Sequence, residues 1–389
     1  MQQSERQPSA NEVHATRVAP RLAFIDGLRG AAAFYVVLYH CYFIEITAAN
    51  VQKTFSPVQR ALLYWLGYGE EAMSVFLVIS GFCLMREALQ SGGAIQGGAL
   101  RFLWRRSMRL LPPYFIALAV MIGLIAAFPM MDRINVDLFN GSQAPNLSGG
   151  VLLSHILLID NLKYAWKFGI DPPSWGVATM WWMYLLFALL LLPAWRRIGS
   201  VPLILIATAI GLLPHFLRHA GDDASPWFVG IFALGMGAAE LCAATSANNS
   251  RKSFGWIFAA AAILALLLGI GFFREAIIWE HIFAVDLAVG CATACGLIGC
   301  CGLRLKDIRS VPLSMLEARP LTALGKISYS LFLVHFPVLW ALHAGVILRL
   351  NLEPLERLFA LLASGVPAAL LTAWLFERIV ERRFKMTNE

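Results

Sequence analysis

Long apolar segments separated by shorter polar connections recur along the chain. A transmembrane helix needs about 20 mostly apolar residues, because each residue adds about 1.5 Å across a hydrocarbon layer of about 30 Å. Ten segments of the sequence meet this requirement. They lie at roughly 24–44, 67–86, 110–128, 177–195, 201–217, 226–246, 254–273, 281–302, 327–349 and 357–378. The pattern predicts an all-α fold, a polytopic membrane helix bundle of about ten transmembrane helices.

The composition supports a membrane protein. Hydrophobic residues make up 59% of the chain and charged residues 14%, whereas soluble domains contain about 45–50% apolar and about 25% charged residues. A soluble globular domain is excluded on this basis, and the lipid bilayer is the expected partner. The sequence does not indicate an oligomeric state.

The polar segments give the expected domain organisation. Residues 1–20 contain no apolar core of the kind found in a signal peptide, and we expect a disordered cytoplasmic tail there. A single membrane domain is expected at 21–385. Its longest connection, 129–176, contains turn and breaker residues and is expected to be an exterior loop. The apolar stretch 151–159 within this loop is too short to span and is expected to be interfacial or re-entrant.

The positive charges predict the orientation. Most of the 31 Lys and Arg residues lie in the connections on the side of both termini. Because positively charged loops remain cytoplasmic, we expect a multi-pass protein of the bacterial inner (plasma) membrane with both termini in the cytoplasm. The net charge of +7 follows from this bias and does not indicate binding to nucleic acid.

Tryptophan residues occur near the ends of several predicted spans. Trp104, Trp195, Trp227 and Trp279 are in such positions. Because the indole ring is amphipathic, we expect these four residues to be anchors at the membrane interface.

The first predicted span contains an arginine and a histidine on one face. Arg29 and His40 are eleven positions apart, which on an α-helix is about 20° more than three full turns and about 16 Å along the axis. Asp26 precedes Arg29 by three positions and is expected to pair with it. One interpretation is an intrahelical ion pair with a hydrogen-bonded core histidine. The other is a functional site, because charged groups inside a membrane usually line a cavity or take part in chemistry.

Further polar residues occur at compatible depths in other spans. The second span contains Glu70, Glu71 and Ser80, and the ninth contains Ser330 and His335. We expect these groups to share one hydrated cavity with Arg29 and His40.

A basic cluster precedes the third predicted span. It contains Arg105, Arg106 and Arg109, with Arg105 and Arg109 expected on one helix face. Arginine binds phosphate in a bidentate manner, so a donor with several phosphates such as coenzyme A would suit the cluster. The alternative is anchoring of a positive loop to lipid phosphates. The pair Pro112-Pro113 is expected to end or kink the local helix.

The seven cysteines do not indicate a metal site or a disulfide framework. They lie almost entirely within predicted spans, and the sequence has neither CxxC nor Cys/His metal-ligand spacing. We expect no metal, and we interpret the cysteines as packing residues.

Four motifs in this order resemble the acyltransferase 3 family of membrane proteins, whose members move acyl groups from acyl-CoA, mostly to sugar hydroxyls. The motifs extend over about 21–385. They are DGLRG with His40 after it, VFLVISGF at 75–82, RSMR at 106–109 leading to LPPY, and LGKISYSLFLVH at 324–335.

The sequence departs from the family at one position. The family usually has a glutamate a few residues after a Pro-Ser-Trp motif, and here Met180 occupies that position after Trp175. If that carboxylate binds or deprotonates the acceptor, this chain uses another group or is catalytically impaired. Glu70 or Glu71 is the substitute that we consider.

The resemblance implies an O-acyltransferase that moves an acyl group from acyl-CoA, with acetyl-CoA as the expected co-substrate, to a hydroxyl of a carbohydrate or glycolipid. His40 is the expected general base, because its pKa is naturally near neutrality. Direct transfer and a covalent acyl-histidine intermediate both remain open. The remaining expected roles fall into three groups. Catalysis is assigned to His40, Arg29 and Asp26, binding of the CoA donor to Arg105, Arg106, Arg109 and Tyr114, and binding of the acceptor to Glu70, Glu71, Ser80, Trp175, Ser330 and His335.

Two alternatives to an active enzyme remain at this point. Ten spans with intramembrane charges also fit a transporter or flippase of a glycolipid or small solute. A catalytically impaired homologue is the other, because of Met180.

Overall fold

The computed structural model describes residues 22–47, 51, 55–128, 145–219, 221–244 and 250–386. Within these ranges the chain is helical and contains no strand. Ten helical segments are long and apolar enough to cross a membrane, which confirms the predicted polytopic bundle. In chain order these ten spans are Ala23–Ile46, Pro57–Gln90, Gly98–Ala127, Pro172–Ile198, Ser200–Leu217, Asp222–Ala244, Arg251–Phe273, Ile282–Arg304, Ser328–Leu350 and Pro354–Lys385.

Span three differs most from its prediction. The Pro112-Pro113 pair was expected to end or kink the local helix, but the helix, Gly98–Ala127, continues through both prolines and does not end there. Helices in membranes tolerate proline because neighbouring groups satisfy the backbone atoms that it leaves unpaired. With 30 residues the helix is about 45 Å long, which exceeds the hydrocarbon thickness of about 30 Å. The arginine cluster is therefore part of a transmembrane helix and not of a separate loop.

Glycines bring the first and the late motif into backbone contact. A Cβ atom at Gly27 would collide with the backbone carbonyl of Leu316, and one at Gly325 would collide with the backbone of Asp26. Span one therefore packs directly against the short helix Arg319–Lys326 and the residues before it. This contact places the beginning of span nine beside the arginine end of span one.

The second motif has a similar packing role. Gly81 of span two faces the backbone of Phe232 in span six, and Gly235 faces the backbone of Val78. Small residues allow transmembrane helices to approach closely, so spans two and six cross at this pair of glycines.

Short helices connect spans three and four. They are Gly149–Ile156 and Tyr164–Lys167, whereas residues 129–144 and the predicted tail 1–20 lie outside the described residues. In the first of these helices Val151 is buried and Leu153 is exposed. The segment thus has one packed and one open face, and it does not span. The end of the bundle that carries residues 145–171 is called the loop side below, and the opposite end is called the arginine side.

A buried network contradicts the role predicted for Trp227. This residue is 1% exposed, and its indole Nε1 donates to Asp286 Oδ2 at 2.9 Å. Ser74 donates to the other carboxylate oxygen of Asp286 at 2.7 Å. Trp227 therefore links spans six and eight inside the bundle. Its N–H group offsets part of the free-energy cost of burying the Asp286 carboxylate.

Candidate active site

Two cavities lie one after the other along span one. The smaller has a volume of about 50 Å³ and lies towards the loop side, and the larger has a volume of about 320 Å³ and contains the arginines. The smaller cavity is lined by Val36, Tyr39, His40, Phe43, Gly69, Glu70, Phe168, Pro172, Pro173 and Trp175. The larger is lined by Arg29, Ser80, Cys83, Arg106, Arg109, Leu110, Val177, Met180, Tyr184, Gly325, Lys326, Ser328, Tyr329 and Glu381. Four further residues, Met73, Phe76, Gly176 and Phe332, line both cavities.

The hydrogen bonds of His335 define its tautomer. Its Nδ1 lies 3.0 Å from the carbonyl oxygen of Leu331 and 2.9 Å from that of Phe332. Because carbonyl oxygens only accept, Nδ1 carries the proton, and in the neutral ring Nε2 is an acceptor.

The tautomer of His40 follows from that of His335. Nδ1 of His40 lies 2.9 Å from the carbonyl oxygen of Val36 and 3.1 Å from Nε2 of His335. Both neighbours are acceptors, so Nδ1 of His40 is the donor and its Nε2 atom keeps the lone pair. The arrangement leaves His40 with one basic nitrogen in a ring that lines the smaller cavity.

A carboxylate accompanies His40 in the smaller cavity. Tyr39 donates to Glu70 Oε1 at 3.3 Å, and the rings of Tyr39 and His40 meet edge to face at 4.7 Å. The neighbouring Glu71 does not line either cavity described here. It is 5% exposed, and within the described part of the chain neither of its carboxylate oxygens has a hydrogen-bond partner. The two glutamates considered as substitutes therefore have different positions, and only Glu70 faces the cavity of His40.

The larger cavity has an excess of positive charge. Arg29, Arg106, Arg109 and Lys326 line it, against one carboxylate, Glu381. Arg106 is paired with Glu87 at 3.0 Å, and Arg29 donates to Cys83 Sγ at 3.5 Å. Glu381 accepts a hydrogen bond from Ser330, which lies behind it and lines neither cavity. The pairing of Asp26 with Arg29 stays a prediction.

The predicted phosphate-binding set is divided by the structure. Arg105 donates to the backbone carbonyl of Gln96 at 3.2 Å and does not line the cavity that contains Arg106 and Arg109. Arg106 and Arg109, three positions apart and both among the predicted donor-binding residues, line that cavity together. Tyr114 lines neither cavity, and its hydroxyl lies 3.1 Å from Nδ1 of His155 on the loop side. The structure thus separates Tyr114 from the arginines with which it was grouped, and its role in donor binding stays a prediction.

The loop side contains buried acids next to the smaller cavity. Asp160 is fully buried and Asp171 is 4% exposed. Desolvation raises the pKa of Asp160 to about 7 and that of Asp171 to about 8, and it lowers the pKa of His155 to about 4. Lys167 opposes part of the shift at Asp160 and lies over the ring of Trp175, 4.1 Å from its centroid. The neutral forms of these two acids are thus favoured on the loop side.

One group of potential metal ligands occurs among the described residues. Nδ1 of His215 and Nδ1 of His219 lie 3.0 and 3.2 Å from the same oxygen of Asp222. These distances are those of two ordinary hydrogen bonds to one carboxylate, and the side chain of His219 is 76% exposed. The group lines neither cavity and does not bear on the site.

Several lining residues escaped the sequence analysis. Lys326 stands in the late motif but was given no role of its own, and Glu381 lies beyond the last predicted apolar span. Met73, Phe76 and Phe332 are apolar residues in apolar spans, so no composition signal separates them from packing residues. Glu381 alone among these residues offered a usable sequence signal, because a carboxylate so close to a transmembrane segment is rare without a partner.

The described spans form a polytopic helical bundle that holds a histidine in one cavity and several cationic side chains in the next. Residues 22–378 match the family model Acyl_transf_3, described as an acyltransferase domain. The chain belongs to this acyltransferase 3 family, and it is a membrane enzyme of the O-acyltransferase type.

A relative is consistent with this assignment. The chain is 28% identical over 330 residues to a protein of Komagataeibacter xylinus described as a membrane-bound transacylase, BcsY. The aligned region covers 80% of this chain and 72% of that protein. No solved structure matches the chain. Family membership favours an acyltransferase over the transporter or flippase considered from the sequence.

Proposed function

We propose that the protein transfers a short acyl group, acetyl in the first instance, from acyl-CoA in the larger cavity to a hydroxyl of a carbohydrate or glycolipid in the smaller one. The observation that carries the proposal is the succession of a cationic cavity and a histidine cavity that share four lining residues. A two-substrate reaction needs such an arrangement, because donor and acceptor must meet while their other parts stay apart.

The larger cavity suits the donor. Arginine and lysine bind phosphate oxygens, and Arg29, Arg109 and Lys326 supply three cations there. A volume of about 320 Å³ holds on the order of 20 heavy atoms when one water-sized probe takes about 15 Å³. This is the size of an acylated pantetheine arm, so the nucleotide with its phosphates would lie at the arginine end of the cavity.

Arg29 has two possible roles, contact with the thioester carbonyl of the donor or contact with its phosphate and pantetheine part, and its position favours the second. It is about 16 Å along the helix axis from His40, and the two residues line different cavities. Arg29 therefore acts on the phosphate or pantetheine part of the donor and not on the carbonyl that is attacked beside His40.

The smaller cavity suits an acceptor hydroxyl. Its polar groups are His40 and Glu70, and Tyr39, Phe168 and Trp175 contribute aromatic surface. Sugar rings pack against aromatic faces, and sugar hydroxyls donate hydrogen bonds to carboxylates. Because the volume is only about 50 Å³, the reacting hydroxyl enters while the rest of the acceptor stays on the loop side.

The reaction proceeds by direct transfer in this proposal. Nε2 of His40 accepts the hydroxyl proton as the oxygen attacks the thioester carbonyl, and the tetrahedral intermediate then breaks its C–S bond. The proton passes from His40 to the departing thiolate, so the products are an ester and free CoA. His335 stabilises the transient imidazolium, because its Nε2 accepts from Nδ1 of His40. His335 is thus a positioning residue.

The proposed orientation follows from the substrates. Coenzyme A is cytoplasmic, so the arginine side would face the cytoplasm together with both termini, and the loop side would face the exterior of a bacterial inner membrane. The acyl group then crosses from one cavity to the other.

Vesicles with the purified protein test the proposal. With ¹⁴C-acetyl-CoA supplied on the arginine side, wild-type protein is expected to label a glycan or glycolipid acceptor supplied on the loop side, and His40→Ala protein is not. Label transfer by His40→Ala at the wild-type rate, or no transfer by wild-type protein from any acyl-CoA to any acceptor tested, would contradict the proposal. Donor supplied on the loop side alone is the control for orientation.

A further inference from the structure

Four apolar residues from three spans meet where the two cavities adjoin. Met73 and Phe76 come from span two, Gly176 from span four and Phe332 from span nine. We call these four residues the partition. The rings of Phe76 and Phe332 meet edge to face, with 6.4 Å between their centroids. The partition contains no polar side chain, unlike the walls on either side of it.

Gly176 is the tightest point of the partition. A Cβ atom built on it would lie 2.9 Å from Cζ of Phe332 and 3.4 Å from Sδ of Met73. Both neighbours are the ends of side chains and not backbone, so the space next to Gly176 is bounded by groups that can move. Methionine is especially adaptable because it is unbranched and has three rotatable bonds. Side chains therefore limit the free space between the two cavities next to Gly176.

The acyl group has to lie against the partition if transfer occurs as proposed. The pantetheine arm approaches from the larger cavity, and the thioester carbonyl must reach a hydroxyl beside His40. The acyl carbons beyond the carbonyl then lie in the smaller cavity, whose volume of about 50 Å³ holds about three heavy atoms. The reacting hydroxyl oxygen takes one of these places, and an acetyl group has one methyl carbon beyond its carbonyl, so each further methylene soon needs space that the partition occupies.

We infer that Met73, Phe76, Gly176 and Phe332 determine the length of the acyl group, and that they restrict the enzyme to donors of about two or three acyl carbons. This inference rests on the proposed transfer from acyl-CoA. It goes further in assigning the choice of donor to apolar residues that touch neither the phosphates nor the acceptor hydroxyl.

The test compares acetyl-CoA, propionyl-CoA and hexanoyl-CoA as donors for wild-type protein and for variants that change the free space next to Gly176 in opposite directions. Phe332→Ala and Met73→Ala are expected to raise the ratio of kcat/KM for hexanoyl-CoA over acetyl-CoA at least tenfold, because a pocket discriminates about 10-fold or more for each methylene that it excludes. Gly176→Ala should lower the ratio for propionyl-CoA over acetyl-CoA by about tenfold. Phe332→Leu, which removes less volume, serves if Phe332→Ala does not accumulate.

Phe258→Ala is the matched control, because it removes the same phenyl group from a side chain that is 76% exposed in span seven. Its chain-length preference should equal that of wild-type protein. If wild-type protein transfers acetyl groups but all partition variants keep its preference, the inference is wrong and the proposed function stands. If wild-type protein transfers no acyl group from any of the three donors, both are wrong.

Discussion

Nε2 of His335 lies 3.1 Å from Nδ1 of His40, and the two rings come from spans one and nine. The carbonyls of Leu331 and Phe332 fix the proton of His335 on its other nitrogen, so the ring presents an acceptor to His40. The pair is arranged like a catalytic dyad, in which one residue is the base and the other orients it.

Replacement of either histidine should lower turnover to different extents. His40→Ala removes the base, and we expect kcat to fall about 10²–10⁴-fold. His335→Ala removes one hydrogen bond to a charged ring, which contributes about 1.5–3 kcal/mol and corresponds to a loss of roughly 10–150-fold in kcat. Because His335 does not line the larger cavity proposed for the donor, KM for acyl-CoA should stay within about twofold of the wild-type value.

A conservative variant separates positioning from a structural role of His335. His335→Gln introduces a carboxamide oxygen that can accept from Nδ1 of His40 in place of the imidazole Nε2, so part of the lost kcat should return. Equal kcat values for His335→Gln and His335→Ala would argue against the assigned role. Amounts of protein in the membrane are compared for each variant.

Glu70 and Glu71 should respond differently to the same substitution. Glu70→Gln is expected to lower kcat/KM for the acceptor about tenfold, because its carboxylate lines the cavity of His40. Glu71→Gln is the control on the adjacent residue, which lines neither cavity, and should retain activity within about twofold. Acceptor titration at saturating acetyl-CoA measures both. Loss of activity confined to Glu71→Gln would show that the wrong glutamate has been assigned in place of the carboxylate absent at Met180.

Arginine substitutions should distinguish specific binding of the donor in the larger cavity from nonspecific attraction by positive charge. Arg29→Ala and Arg109→Ala each remove a cation from the larger cavity, so KM for acetyl-CoA should rise about 10-fold or more. Arg105→Ala removes the same charge from the same helix as Arg109 but outside the cavity, and we expect a change of less than about twofold. Steady-state kinetics with varied acetyl-CoA measures the three values. A rise for Arg105→Ala as large as that for Arg109→Ala would favour nonspecific attraction.

The sequence predicted the parts of this site that lie on one helix. The eleven-residue separation predicted that Arg29 and His40 share a face, and the structure places both on cavity walls along span one. Contacts between distant segments did not follow from the spacing. The partner of His40 is 295 positions away in sequence, and the choice of Arg106 over Arg105 depends on where span three meets its neighbours. Trp227 is a second example, because the hydrogen-bond partner of its buried indole, Asp286, lies in another span.

The loop side should lose stability as the pH rises. The pKa values of Asp160 and Asp171 in the folded protein are raised to about 7 and about 8, whereas that of an unfolded aspartate is about 3.9. The folded state therefore binds more protons, and the stability present below pH 4 is lost as the pH rises through these folded values. Between about pH 6.5 and 8.5 the loss should be on the order of 2 kcal/mol. His155, with its pKa lowered to about 4, acts below this window.

Thermal unfolding of the detergent-solubilised protein at pH 6.5 and 8.5 measures this loss. Asp171→Asn removes the larger of the two titrations, so its Tm should fall less between these pH values than that of wild-type protein. Asp307→Asn is the control, since it removes an equivalent carboxylate that is 96% exposed, and its Tm should follow the wild-type curve. A Tm that is independent of pH in wild-type protein, or an Asp171→Asn curve parallel to it, would mean that Asp171 is ionised or hydrated in the folded state. Because Asp171 directly precedes Pro172 and Pro173 of the smaller cavity, a loosened loop side at high pH should also lower kcat/KM for the acceptor before it affects the donor.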